Sequence, residues 1–165
     1  MKFYVGFSYS RKKFAIGSWL IKLFDRSNVS HAFYMIEDQE TTIVIQANSH
    51  RVNLLGIEAF KKRHIIESLF EIKVDVKDFK KLEKYIYNSL GKEYGYLAVF
   101  GILLYRMFSC LGLKKNPLRD NDKTLHCTEF IYNILKIAGY DLDYRAELDG
   151  VGKLKDELRF TLKGE

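Results

Sequence analysis

Among the two cysteines and four histidines of this chain, Cys127 stands where a thiol can do chemistry. It lies in Thr124-Leu125-His126-Cys127-Thr128-Glu129-Phe130. Apolar Phe130, Ile131, Ile134, Leu135 and Ala138 follow at helical spacing, and Gly139 is a natural stop. Asp122 or Thr124 could cap the first turn. In that turn Cys127 would meet unpaired amides and the positive end of the helix dipole, both of which favour an anion. The thiol should then ionise more easily, and the thiolate is the nucleophile. The competing reading is a small core side chain, since free cysteine is among the most buried residue types. A partner histidine decides between them.

His31 is the candidate base. It follows the turn-forming cluster Asp25-Arg26-Ser27-Asn28-Val29-Ser30 and opens a β-type run, His31 to Ile36. A polar turn, Glu37 to Thr41, leads into a second strand, Thr42 to Ala47. So short a separation predicts an antiparallel hairpin, which brings His31 near Gln46. The side-chain carbonyl of Gln46 could hold the proton on the far imidazole nitrogen. His50 competes for the orienting role, or for that of the base. His126 adjoins Cys127 but points another way from a helix, so it is a poor base. His64 follows Lys61-Lys62-Arg63 and reads as solvated. A cysteine hydrolase needs a thiolate, an imidazole in reach, an orienting polar group and amides for the oxyanion. Cys127, His31, Gln46 and the first helical turn supply one of each.

The elements that must position them follow from periodicity. Residues 3–8 read as an opening strand, and Ser10 to Arg26 as an amphipathic helix whose Trp19 is core. Val52 to Leu55 reads as a short strand, Gly56 to Lys62 as one helical turn, and Ile65 to Val74 as a further strand. Val76 to Leu90 carries Phe79, Leu82, Ile86 and Leu90 at helix spacing and ends at Gly91. Tyr94 to Phe108 is apolar nearly all round and should be the most buried helix. Its apolar run of about a dozen residues is short of the roughly 20 that span a bilayer. Residues 112–123 form a basic loop, residues 140–150 are irregular, and a last segment after Val151 reads as a strand with a frayed tail. The sum is an α+β layout in which a small antiparallel sheet packs against helices.

Composition narrows the class. A chain of 165 residues, 47% hydrophobic and 29% charged, suits one globular domain over 1–165. The net charge of +6 favours an anionic partner or surface, although the cations are scattered in pairs and triplets. Cys110 and Cys127 cannot form a disulfide framework, and no four-ligand cluster suggests zinc, so no metal or cofactor is expected. A single disulfide between them stays open, reduced synthesis being the simpler expectation. Met1 to Phe7 reads as a strand and not as an export signal, which points to the cytoplasm. A small basic protein of this kind is also compatible with a viral or phage source.

Four pieces of the sequence together resemble a known family. They are the stretch from Ser18 through Ser30-His31-Ala32, the strand Ile43-Val44-Ile45-Gln46-Ala47, the segment Leu90-Gly91-Lys92-Glu93-Tyr94-Gly95-Tyr96, and Leu125-His126-Cys127-Thr128-Glu129-Phe130-Ile131. Their types and order are similar to those of the circularly permuted papain-like hydrolases related to NlpC-type cell-wall peptidases. YiiX-like proteins and the lecithin–retinol acyltransferase branch belong to that broad group. The resemblance implies a permuted papain-like fold with the histidine strand before the cysteine helix, Cys127 as nucleophile and His31 as general base and acid. Gln46 takes the third position, where relatives often carry an acidic residue. It further implies cleavage of an amide in a cell-wall peptide, peptidoglycan or protein isopeptide linkage, through an acyl-enzyme. Two alternatives stand beside it. One is a lipid ester hydrolase or acyltransferase of the same fold, suited by the apolar 94–108 segment and the basic surface. The other is an inactive basic binding module, for which nucleic acid is the less favoured partner.

Overall fold

Alternating β-branched and aromatic residues set the sheet. The computed structural model describes residues 1–12, 16–108, 115–118 and 124–164. Strands β1 (Lys2–Ser10), β2 (His31–Glu37), β3 (Thr42–Ala47), β4 (Val52–Gly56) and β5 (His64–Ile72) form a five-stranded antiparallel sheet in the order β4-β3-β2-β1-β5. Tyr34 pairs with Ile45 across the β2–β3 hairpin, and Ser8 pairs with His31 across β1–β2. A register shift between Phe7 and Ser8 interrupts the pairing of β1 with β5. The helices are α1 (Ile16–Asp25), α2 (Ile57–Lys61), α3 (Val76–Ser89), α4 (Tyr96–Phe108), α5 (Cys127–Ile137) and α6 (Val151–Lys163). A small parallel pair, β6 (Glu93–Tyr94) and β7 (Thr124–Leu125), completes the α+β architecture.

Period-two alternation gives the sheet two different faces. Val5, Phe7, Ala32, Tyr34, Ile45 and Ala47 meet the helices on one side. There Phe130, Ile131, Ile134 and Leu135 of α5 join Leu82 of α3 and Leu154 and Leu158 of α6 in one core. Phe33, Met35 and Val44 point the other way, under Phe60 of the short α2. Gly6 faces Phe33 in the β1–β2 register, and a methyl group there would strike the Phe33 ring.

The helices depart from expectation in instructive ways. Helix α5 stops as expected, with Gly139 left-handed at φ 91°. Its N-cap is His126, without a side-chain capping bond; Thr124 belongs to β7, and Asp122 lies outside the described residues, as do Cys110 and most of the basic loop. Helix α4, expected to be the most buried, buries only Gly101 and Ile102. Its residues Tyr96, Leu97, Phe100, Met107 and Phe108 are exposed, as are Trp19 and Leu23 of α1, so Trp19 is not a core residue. Apolar composition overestimates burial when no second layer covers the helix. The segment after Val151 is the 13-residue helix α6 and not a strand. What starts it is remote: Asp25 at the end of α1 accepts the Gly152 amide, and its other oxygen takes Arg106 of α4 at 2.5 Å. Side chains at Gly150 or Gly152 would run into Asp25. Burial raises the Asp25 pKa, opposed by the Gly152 amide and Arg106. None of the described helices is long and apolar enough to cross a membrane.

These assignments predict unequal costs for two leucines. Leu135→Ala, inside the α5 core, should lower the unfolding free energy by about 2–5 kcal/mol. Leu97→Ala, on the exposed face of α4, should change it by under about 0.5 kcal/mol. Urea denaturation reads both, and equal losses would contradict the layering.

Candidate functional site

The hairpin does to His31 what its register demands. His31 Nε2 lies 2.7 Å from Gln46 Oε1, and both side chains are buried. An amide oxygen only accepts, so Nε2 carries the proton and donates, leaving Nδ1 as the basic nitrogen. Nδ1 has no hydrogen-bond partner among the described residues. Burial, then the neighbouring His64, lowers the His31 pKa to about 3, while the Gln46 bond pulls upward. The imidazole is therefore neutral at pH 7. His50 is exposed at the surface turn, where its backbone amide donates to Asn48 Oδ1, and Gln46 holds the orienting position.

His64 is the residue that sequence reasoning misplaced. It is half-buried, not solvated, because β5 pairs Ser10 with His64 and so lays the start of β5 beside β2's neighbour β1. Its ring stacks on Phe60 at 4.6 Å between centroids and 7° between planes, and lies 5.0 Å from the His31 ring. Ser8 Oγ stands 3.5 Å from its Nδ1. Burial and the Arg63 charge lower its pKa to about 4. The period-two alternation of 64–72 was the available signal, but only the β1 register reveals its neighbour.

Cys127 occupies the first position of α5 and is 5% exposed. The Ala32 amide, the Tyr94 hydroxyl and the amides of Thr128 and Cys127 itself all favour the thiolate. Burial outweighs them, and the thiol pKa is raised. The expectation of an easily ionised thiol thus reverses: the helix amides act as anticipated, but in a site where desolvation is larger. Tyr94 was missed as a site residue. The parallel β6–β7 pair sets Tyr94 against Leu125, two residues before Cys127, and so delivers its hydroxyl to the sulfur.

Cys127 and His31 do not hydrogen-bond to each other in this structure. Alternation explains why: Ala32 faces the α5 core, whereas His31 shares the side of Phe33 and contacts Phe60 and His64. The sulfur meets the Ala32 amide, one peptide from His31. A cleft of about 650 Å³ runs past His31, Gln46, His50 and His64, and a cavity of about 40 Å³ adjoins Cys127. Ile21, Ser30, Tyr94, Val99 and Leu103 line both. His126 is buried beside Cys127; its Nδ1 is 3.1 Å from Glu129 Oε2 but off the hydrogen-bond direction, and its Nε2 has no partner. Among the described residues, no three of His, Cys, Asp and Glu converge as metal ligands would.

No family model and no curated protein matches this sequence. A solved structure does: metalloprotein YiiX from Escherichia coli O157:H7, a DUF1105 protein, with a TM-score of 0.54 and 18% identity. The fold is YiiX-like. The likeness covers 84% of this chain and 66% of that protein, so the chain spans about two thirds of YiiX. At that identity the likeness concerns the backbone fold alone.

Two outcomes follow from the buried neutral groups. For His31, the ordinary pKa of 6.5 falls to about 3 on folding, so the unfolded chain binds more protons between those values. The stabilisation is present above pH 6.5 and is lost as pH falls towards 3, at up to ~1.4 kcal/mol per pH unit. Thermal denaturation of His31→Asn should therefore depend less steeply on pH in that window than the native chain. Secondly, the rate at which iodoacetamide modifies Cys127 should still be climbing above pH 9, the ordinary thiol value, and not level off there. Rapid alkylation at pH 6–7, lost in His31→Ala, would instead reveal a thiolate–imidazolium pair.

Proposed function

We propose that this chain is a cysteine hydrolase of the circularly permuted papain-like type. Cys127 is the nucleophile, His31 the proton carrier and Gln46 the group that orients it. The observation that carries this reading is the buried 2.7 Å bond between His31 Nε2 and Gln46 Oε1. It fixes a tautomer whose free nitrogen can take a proton, one peptide from the amide that touches the sulfur.

Because the thiol is held neutral and the imidazole is too, proton transfer accompanies attack and no ion pair precedes it. On substrate binding, the Cys127–His31 contact closes past Tyr94 and Ser30, as catalytic hydrogen bonds commonly tighten in the substrate complex. The Cys127 Sγ–H proton passes to His31 Nδ1 while sulfur bonds to the acyl carbon. Amides at the start of α5 receive the charge that develops on the carbonyl oxygen. His31 returns the proton to the leaving nitrogen or oxygen as that bond breaks, leaving a thioester. Water, deprotonated by His31, attacks the thioester and restores the thiol. The chemistry needs a free thiol, which suits a reducing cytoplasm.

The resemblance favours an amide substrate, in a cell-wall peptide or an isopeptide linkage. One observation favours a lipid ester instead: the exposed apolar residues of α4 and α1 lie on the helices that wall the cleft. YiiX is described as a metalloprotein. The described residues of this chain do not converge on a metal, and no step above runs through one.

The test is covalent. Incubation with p-nitrophenyl esters of graded chain length and with an N-acyl dipeptide amide should add an acyl mass to Cys127, read by intact-mass and peptide mass spectrometry. Cys127→Ser should abolish turnover, and His31→Ala should lower kcat by about 10²–10⁴-fold. Gln46→Ala should lower it less. Turnover in Cys127→Ser equal to that of the native chain would overturn the reading and leave a binding module.

A further inference from the structure

The cleft beside His31 has a one-sided charge. Arg11, Lys12, Lys62 and Arg63 line it together with His64, and no aspartate or glutamate does so among the described residues. The whole chain has 27 Lys and Arg against 21 Asp and Glu, so such a lining is not what composition alone supplies. Some cations elsewhere are matched: Lys61 pairs with Glu58, Lys81 with Asp78 and Lys155 with Glu67. Among the described residues, no ion pair joins Lys62, Arg63, Arg11 or Lys12 to a carboxylate.

The backbone holds these charges together. The Arg11 amide donates to the Arg63 carbonyl at 2.9 Å, and Arg11 Nε donates to the Lys61 carbonyl at 2.8 Å. Those bonds join the end of β1 to the turn between α2 and β5, beside the Ser10–His64 register pair. Among the described residues, no hydrogen bond engages the two terminal nitrogens of Arg11, whose Nε alone is held. His64 is fixed in the same platform by its stack on Phe60. Like charges gathered on the wall of a concave site repel one another and focus a positive potential into it. A bound anion relieves that repulsion.

We propose that this end of the cleft is an anion subsite that takes a phosphate group, with Arg11, Lys12, Lys62, Arg63 and His64 as its ligands. Four formal positive charges suit a phosphate, which carries about −1.5 to −2 at pH 7, better than a single carboxylate. Guanidinium groups bind its oxygens through paired donors. The subsite adjoins His31, so the molecule it selects carries a phosphate close to the group presented to the site. The binding claim itself does not require the hydrolase reading, since it concerns occupancy and not turnover.

Titration calorimetry with inorganic phosphate, and flotation with phosphatidic acid against phosphatidylcholine vesicles, tests it on three chains. These are the native protein, the pair Lys62→Ala/Arg63→Ala in the cleft, and the pair Lys80→Ala/Lys84→Ala on the exposed side of α3. Circular dichroism verifies that all three are folded. The native and α3-pair chains should bind phosphate at one site, and the cleft pair at least about tenfold more weakly. Binding of phosphatidic acid vesicles alone, with the same loss in the cleft pair, also supports the subsite and makes a lipid headgroup the source. Equal binding by the cleft and α3 pairs, no binding of either probe, or a response only to a polyanion such as single-stranded RNA would overturn it. Alkylation and acyl-adduct measurements on Cys127 report separately on the hydrolase reading, so either can fail alone.

Discussion

The packing of α5 across β2 is the constraint on which the rest of this structure depends. Phe130, Ile131, Ile134 and Leu135 are all inaccessible to solvent, and they lie against Ala32 and Tyr34 of the central strand. Because Cys127 begins that helix, burying the apolar face of α5 also buries the thiol. The same contact fixes which side of β2 meets the sulfur. Ala32 does, so His31 leaves the strand on the other side, beside Phe60 and His64. A helix docked for hydrophobic reasons thus sets the electrostatics of the site.

Those electrostatics are dominated by desolvation. At a helix start, four hydrogen-bonding groups favour the Cys127 thiolate, yet burial raises its pKa. The same cause, in the opposite sense for a base, lowers His31 to about 3 and His64 to about 4. Both members of the proposed pair are therefore neutral at rest. That suits a mechanism in which proton transfer waits for the substrate, and it protects the free thiol from adventitious reaction. Tyr94 and Ser30 line both the cavity at Cys127 and the cleft at His31.

Around this centre the chain is asymmetric. One end of the cleft is basic, at the junction of β1 with the α2–β5 turn; its other wall is apolar, formed by α1 and α4. The outward faces of those two helices carry Trp19, Leu23, Leu97 and Phe100 in solvent. Asp25 locks the apolar wall in place, since it binds Arg106 of α4 and starts α6 through the Gly152 amide.

The sequence by itself determined what short-range chemistry can determine. Apolar spacing and Gly139 defined the Cys127 helix, β-type runs and a short polar turn defined the β2–β3 hairpin, and the hairpin brought Gln46 to His31. Each of those signals is local or spans only one tight turn. Tertiary structure decided everything that depends on what lies on top of what. It exposed α4 and Trp19, which are apolar but lack a covering layer, and it made a helix of 151–163 through an acceptor 127 residues away. It placed His64 beside His31 through a register on β1, and Tyr94 beside Cys127 through the β6–β7 pair. It also reversed the expected shift of the Cys127 pKa, because a helix dipole is written in local sequence whereas desolvation is set by the whole fold.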